Sequence, residues 1–380
     1  MNKNKFIHIV AFDIPYPPNY GGIIDIFYKI KALKEKGFHI ILHVYLYAGK
    51  EPSDILKQLC HKVYYYNRRR FANPFIGELP YIVSTRNGDE LLNNLLKDKH
   101  PILFEGLHTT YFLNHKSLEE RFKIVRTHNV EHLYYKALEE AETGFFKKYF
   151  FRVESERLAQ YEMVLKHADL IATISPAETE YYQTMFPQTS YVPAFHGNEE
   201  VSGRLGQGKY LLYHGNLGVG ENNKAALYLV HEISPGLDIP VVIAGNNPSR
   251  QLKQAVKGNP YINLVSKISS EDILELVAEA QINLLVTFQS TGIKLKLLNA
   301  LYRGRHCVVN PAMVENTGLD SICHMASKPL QLQRLVKSLW TEPFTETDLE
   351  HRKEVLLGQF SNRHSAEMLT RHLGVETLSV

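Results

Sequence analysis

Residues 282–310 restrict the fold more than any other stretch of this chain. They open with Ile-Asn-Leu-Leu-Val-Thr-Phe, apolar and β-branched enough for a buried strand. Thr291-Gly292 then starts a segment in which Ile293, Leu297, Leu298, Leu301 and Tyr302 recur at helical spacing. Gly304 closes that helix, and Arg-His-Cys-Val-Val-Asn begins the next strand. A strand that turns on small residues into a helix leaves backbone N–H groups free at the turn, where the helix dipole favours an anion. Lys294 falls in the first turn, where the dipole alone would not place a cation. It makes sense there if it faces a ligand too negative for the amides to neutralise, although a solvated lysine on an ordinary helix would leave the same pattern.

The same alternation of strand and helix runs through the whole chain in two blocks, which predicts an α/β protein with two Rossmann-like parallel-sheet domains. In the first block, strands are expected at 6–12, 39–45, 62–66, 102–105, 123–127, 170–174 and 190–192, with a charge-laced amphipathic helix over 154–165. Residues 193–209 are polar, glycine-containing and without apolar period, and read as a linker. The second block restarts at Tyr210 and continues through strands at 241–244, 262–265, 282–288 and 307–310. A length of 380 residues suits two domains. A net charge of +3 is too small for bulk electrostatic attraction to nucleic acid, and none is expected as a partner. Cys60, Cys307 and Cys323 have no paired spacing and suit reduced thiols. The apolar run 6–12 is too short to span a bilayer, lacks a cleavage pattern and reads as a strand rather than a signal peptide. A cytoplasmic location is expected, with contact at the inner face of the membrane left open.

Several motifs share one resemblance. Thr-Gly-Ile-Lys-Leu-Lys-Leu-Leu-Asn-Ala-Leu, followed by a glycine and a Val-Val strand, resembles the nucleotide-sugar loop of family 4 glycosyltransferases. Pro18-Asn19-Tyr20-Gly21-Gly22, Gly215-Asn216-Leu217 with Lys224 downstream, and Arg126-Thr127-His128-Asn129-Val130-Glu131 resemble other motifs of that family. The resemblance implies the GT-B fold, two Rossmann-like domains facing each other across a cleft. It places an acceptor-side domain at 1–195, a nucleotide-sugar domain at 205–350, a linker at 193–209 and a last helix, about 355–380, packing back on the first domain. It further implies hexose transfer from a nucleoside diphosphate sugar to a glycan, a lipid-linked acceptor or another polysaccharide precursor, retaining in stereochemistry. Metal and cofactor are not expected; the nucleotide sugar is a co-substrate.

By the same resemblance, Gly21, Gly22, Gly215, Lys224, Gly292, Ile293 and Lys294 would bind the donor diphosphate, Asn299 the ribose, and His128 and Thr291 would take part in catalysis. Two family glutamates are replaced here by Thr291 and Asn299. Asn299 retains hydrogen-bonding capacity, but Thr291 cannot balance charge on an oxocarbenium-like transition state. Asp25 and Glu131 are the carboxylates that could substitute. The same departure motivates an alternative, a GT-B protein that binds nucleotide or glycan without turnover.

His128-Asn129-Val130-Glu131-His132 also matches the inverted zinc-protease pattern. That reading needs both imidazoles on one helix face, whereas His128 is expected at the carboxyl end of a strand. Finally, Phe145, Phe146, Lys147 and Lys148, and separately Arg68, Arg69 and Arg70, suit contact with an anionic membrane surface. An aromatic face buried under solvated lysines is the competing expectation for the first cluster.

Overall fold

The computed structural model describes residues 5–46, 51–69, 73–142, 144–288, 295–315 and 317–373. Thr291, Gly292, Ile293, Lys294 and Arg70 lie outside the described residues. The chain divides into two compact units, Met1–Gly197 with Asn362–Val380, and Asn198–Ser361.

The first unit contains a seven-stranded parallel sheet built from β1 (Lys5–Ala11), β2 (Phe38–Leu46), β3 (Lys62–Asn67), β4 (Ile102–Glu105), β5 (Lys123–Arg126), β6 (Leu170–Thr173) and β7 (Thr189–Tyr191). Their order is β3-β2-β1-β4-β5-β6-β7, with every ladder parallel. A parallel sheet must be covered on both faces, and the two-residue period of each strand supplies both coats. Ile7, Ile9 and Ala11 of β1 join one core with Ile23, Ile26, Ile30 and Leu33 of the helix Gly21–Glu35. Val10 joins a second core with Phe104, Val125 and Ile171. Ala366 and Leu369, from the helix Asn362–Arg371, complete the first core.

The second unit repeats the plan with β8 (Leu211–His214), β9 (Val241–Ala244), β10 (Ile262–Val265), β11 (Ile282–Leu285), β12 (His306–Val309) and β13 (His324–Met325). The order is β10-β9-β8-β11-β12-β13, again parallel throughout. The expected strands over 282–288 and 307–310 both end early, because Asn310 takes the place of a ladder partner. Its side chain accepts from Thr287 N at 3.0 Å and donates to Thr287 O at 2.6 Å, fastening the ends of β11 and β12 together.

Two expectations are corrected. The helix placed over 154–165 runs Phe145–Tyr161 and tightens into a 3₁₀ turn, Glu162–His167. Residues 193–209 are packed rather than a loose linker: Phe195, His196, Asn198 and Val201 are buried, and Gly206 bridges Phe344.

In each sheet the strand order reverses direction once, between β1 and β4 in the first and between β8 and β11 in the second. Open parallel sheets bind ligands outside the carboxyl ends of strands at that reversal. Gly245, just past β9, shows how tightly the second of these edges is built. Its φ is +155°, and a Cβ there would fall on the carbonyl oxygen of Gly215. Gly245→Ala is therefore expected to destabilise the protein by about 2–3 kcal/mol, read as a shift of the urea midpoint; an unchanged midpoint would show that the edge can relax.

Candidate functional site

The first candidate site grows from one helix. In Gly21–Glu35 an otherwise apolar face carries Asp25 and Lys29 at i, i+4 spacing, and both are fully buried. Opposite them stand the residues that end β4 and β5. Lys29 Nζ donates to Glu105 Oε1 and Oε2 at 2.7 and 2.9 Å and pairs with Asp25 Oδ2 at 2.8 Å. Arg126 grips Asp25 with two bonds, Nη2 to Oδ1 at 2.9 Å and Nε to Oδ2 at 3.2 Å. The guanidinium also donates to the carbonyls of Thr173, Val192 and Pro193, and Phe195 N donates to Asp25 Oδ1 at 2.9 Å. Burial alone would raise the Asp25 carboxyl, but Arg126 and then Lys29 overcome it and hold it far below the usual range.

His128 follows β5 and meets this network through Nε2, 3.0 Å from Glu105 Oε2. A carboxylate only accepts, so Nε2 donates to it, and Nδ1 is left without a hydrogen-bond partner on the other side of the ring. That side faces the start of the first helix, where a Cβ on Gly22 would stand 3.8 Å from Nδ1. The same Cβ would come within 2.8 Å of Phe12 Cζ, so the absence of a side chain at Gly22 admits the Phe12 ring. Gly21 and Gly22 are the first two residues of the helix itself, with Tyr20 as its N-cap.

His108 stands next to His128 across Gly106, whose φ of +69° allows the turn out of β4. The Phe12 ring lies 5.1 Å from the His108 ring and 5.5 Å, edge-on, from that of His128. Burial, with Arg86 and His128 nearby, keeps His108 well below the usual histidine value and hence neutral. Its Nδ1 is 3.9 Å from Glu131 Oε1, and neither atom has a hydrogen-bond partner. Burial raises the Glu131 carboxyl to about 8, reinforced by Glu178 and opposed by Asn129. Burial likewise raises Glu178 to about 7.

Asp25, Glu105 and His128 place ligand-type atoms within 4.8 Å of one another. A divalent cation does not fit there, because Lys29 and Arg126 already neutralise both carboxylates and a third cation would be buried against them. The zinc pattern fails for a further reason. His132, on the helix Glu131–Ala141, has Nδ1 3.5 Å from Glu162, in a different cluster from His128.

The second candidate site lies at the carboxyl ends of β8 and β11. Gly215 follows β8, and a Cβ on it would meet the Asn222 side chain at 3.1–3.3 Å. Asn222 donates to Asn216 O at 3.1 Å and accepts from Lys296 Nζ at 3.0 Å, while Lys296 also lies over the Tyr213 ring at 5.4 Å. Burial, with Lys296 beside it, brings the His214 imidazole down to about 3. Lys224 lies over the Phe288 ring at 4.5 Å, and the Thr287 hydroxyl donates to Glu221. Asn299 points elsewhere: its side-chain oxygen accepts from Asn198, whose own oxygen accepts from Arg303. Of the expected donor-site residues that are described, Gly215 and Lys224 therefore share this edge, whereas Asn299 is engaged with Asn198.

Sequence reasoning missed Lys29, Glu105, His108 and Lys296. The first two had a signal, an i, i+4 charge pair on an apolar helix face and an acidic end to an apolar strand. Lys296 lies in the helix Leu295–Arg303 and had no such signal.

Comparison with known proteins places this geometry. Residues 208–339 match the model of the family Glycosyl transferases group 1. A Klebsiella pneumoniae protein described as an uncharacterized 44.6 kDa protein in the cps region is 28% identical over 336 residues, covering 83% of this chain and 85% of that protein. Among solved structures, sucrose-phosphate synthase from Thermosynechococcus elongatus superposes with a TM-score of 0.70 at 15% identity, covering 98% of each chain. TarM gives 0.68 at 10% identity, over 98% of this chain and 99% of that one. Anabaena Alr3699/HepE, in complex with UDP and glucose, gives 0.66 at 10% identity, over 98% of this chain and 100% of that one. The chain thus shares the GT-B fold of these structures, with two Rossmann-like parallel-sheet domains. Its second unit carries the glycosyl transferases group 1 match, as the resemblance read from the sequence implied.

Two predictions follow from the first site. Removing one partner of a buried pair leaves an uncompensated charge, so Arg126→Met is expected to cost about 3–5 kcal/mol in chemical denaturation. Adding Asp25→Asn should recover part of that loss; a double variant no more stable than the single one would show that Asp25 is not the group left stranded. For Glu131 and Glu178, the folded state holds protons more tightly than the unfolded chain. Their stabilising effect is complete below 4.5, the ordinary carboxyl value, and is lost as pH rises through about 7 and 8. Depressed histidines such as His108 act in the opposite sense, but below 6.5. Melting temperature should fall between about pH 6.5 and 8, and Glu131→Gln should flatten that fall; an unaltered slope would remove Glu131 from the account.

Proposed function

We propose that this protein is a glycosyltransferase that moves a hexose from a nucleoside diphosphate sugar to a glycan, a lipid-linked acceptor or another polysaccharide precursor. The observation that carries the reading is the group 1 family match across the second unit, which spans the edge holding Gly215, Lys224 and Lys296. Two solved structures of the same fold are consistent with it: one is a sucrose-phosphate synthase and another was determined with UDP and glucose. The location of the Klebsiella relative in a cps region supports a polysaccharide precursor as acceptor.

The chemical demand is the stabilisation of charge that builds on the leaving diphosphate. Lys296, with Lys224 and the main-chain nitrogens around Gly215 and Gly292-Ile293-Lys294, would answer it as fixed positive potential, without a metal or a cofactor. In the first unit, His128, its ring held by Glu105, would offer the unpartnered Nδ1 to a sugar hydroxyl. Asp25 is unsuited to replace the missing glutamate, since Arg126, Lys29 and Phe195 N already use its carboxylate. Glu131 has one free oxygen, but its raised carboxyl would hold a proton at neutral pH and serve as a hydrogen-bond donor rather than as a balancing charge. Retention of configuration at the anomeric carbon and a cytoplasmic location belong to the same proposal.

A second reading, nucleotide or glycan binding without turnover, draws on Asn299. In place of a family glutamate it is bonded to Asn198, so its side-chain oxygen is already used. Release of UDP or GDP from a panel of nucleotide sugars separates the two. The enzyme reading expects release from at least one donor, reduced on the order of 100-fold in kcat/KM by Lys296→Ala. Thermal stabilisation by nucleotide, with no release from any donor offered with glycan or lipid-linked acceptors, would establish the binding reading instead.

A further inference from the structure

The aromatic cluster at residues 145–149 is not a buried face. Phe145 and Phe146 are 79% and 83% exposed, at the start of the helix Phe145–Tyr161, with Tyr149 one turn further on. Spacings of i, i+4 from Phe145 and i, i+3 from Phe146 bring both toward Tyr149. A second segment, distant in sequence, extends the same surface. The Phe75 ring lies 5.4 Å from Tyr149 and 6.5 Å from Phe150, and beside it in the chain Ile76 is 75% exposed. Arg157, two turns along the helix from Phe150, donates from Nη1 to Pro74 O at 2.6 Å and from Nη2 to Phe75 O at 3.0 Å, which fixes this loop to the helix.

Lys147 and Lys148 are exposed within the cluster. Of the other basic group, Arg68 is committed to the fold: it donates to Thr85 Oγ1 at 2.8 Å and lies over the Tyr81 ring. Arg69 is exposed.

We propose that Phe75, Ile76, Phe145, Phe146 and Tyr149, with Lys147 and Lys148, form a docking surface for an anionic lipid bilayer. The occupant follows from shape and charge together. Contiguous exposed aromatic groups of this kind are unusual on a soluble surface and mark an interaction site. The side chains project from a helix start and a loop rather than lining a groove, so they suit insertion at a headgroup boundary better than capture of a peptide. The ammonium groups beside them match lipid phosphates. No helix among the described residues is long and apolar enough to cross a membrane, so contact of this kind would be peripheral. The surface is independent of the sugar chemistry proposed above and can succeed or fail without it.

The test is flotation of the full chain with vesicles of phosphatidylcholine alone and of phosphatidylcholine mixed with phosphatidylglycerol, with sedimentation in the absence of lipid. Wild type should float with the mixed vesicles and not with the neutral ones. Lys147→Gln with Lys148→Gln should lower partitioning about thirtyfold. Phe145→Ser with Phe146→Ser should abolish flotation while leaving the melting temperature unchanged, since both side chains are already in solvent. Failure of wild type to float, or equal flotation of the serine variant, would overturn the proposal. So would a wild-type dimer that the serine variant converts to monomer without loss of flotation, because the patch would then cover a second copy.

Discussion

Arg126 holds the first unit's functional edge together. One guanidinium, buried where β5 ends, clamps Asp25 of the first helix and the carbonyls of Thr173, Val192 and Pro193. A helix, two strand ends and the segment leaving β7 are thereby tied to a single planar donor, which a lysine could not imitate. Arg126 can be buried because Asp25 neutralises it, and Lys29 can be buried because Glu105 does. Glu105 in turn accepts a hydrogen bond from His128 Nε2 and fixes its ring. The charge pattern thus runs from the fold to the candidate catalytic group without a break, and the histidine's orientation follows from the same ion pairs that close the sheet's edge.

This explains why some of the site was legible in the sequence and some was not. The strand positions could be read because parallel strands buried on both faces are apolar at almost every residue, as in Ile102–Glu105 and Val241–Ala244. His128 could be read because a resemblance marked it. Lys29 and Glu105 each carried a local signal, but their pairing was hidden by a separation of 76 residues, which no local pattern spans. The ends of β11 and β12 were overextended for a comparable reason. The apolar period continues past them, but the side chain of Asn310 replaces the ladder there, and one amide's choice of partner is a tertiary fact. The packing of residues 193–209 was misread because their polar composition matches that of a linker, whereas Phe195 N and the carbonyls of Val192 and Pro193 are consumed by Asp25 and Arg126.

The two units solve the same problem with opposite charge arrangements. At the first edge, Lys29 and Arg126 are matched by Asp25 and Glu105 and sealed from water, which leaves the Nδ1 atoms of His108 and His128 as polar atoms without partners. At the second, Lys296 and Lys224 rest on the rings of Tyr213 and Phe288. A cation over an aromatic face keeps its charge while shedding part of its hydration. Under the proposed function, the first arrangement would meet the hydroxyl-rich sugar and the second the anionic diphosphate.

The transfer proposed for this protein would need a carboxylate as well as cations at the second edge. Glu221, which accepts a hydrogen bond from the Thr287 hydroxyl just beyond β11, is a carboxylate that remains at that edge. Its position on the helix Gly220–Tyr228, beside Asn222 and Lys224, couples it to the same turn that Gly215 begins. Glu221, Asn222 and Lys224 thus gather a carboxylate, an amide and a cation on one short helix at the second sheet's reversal point.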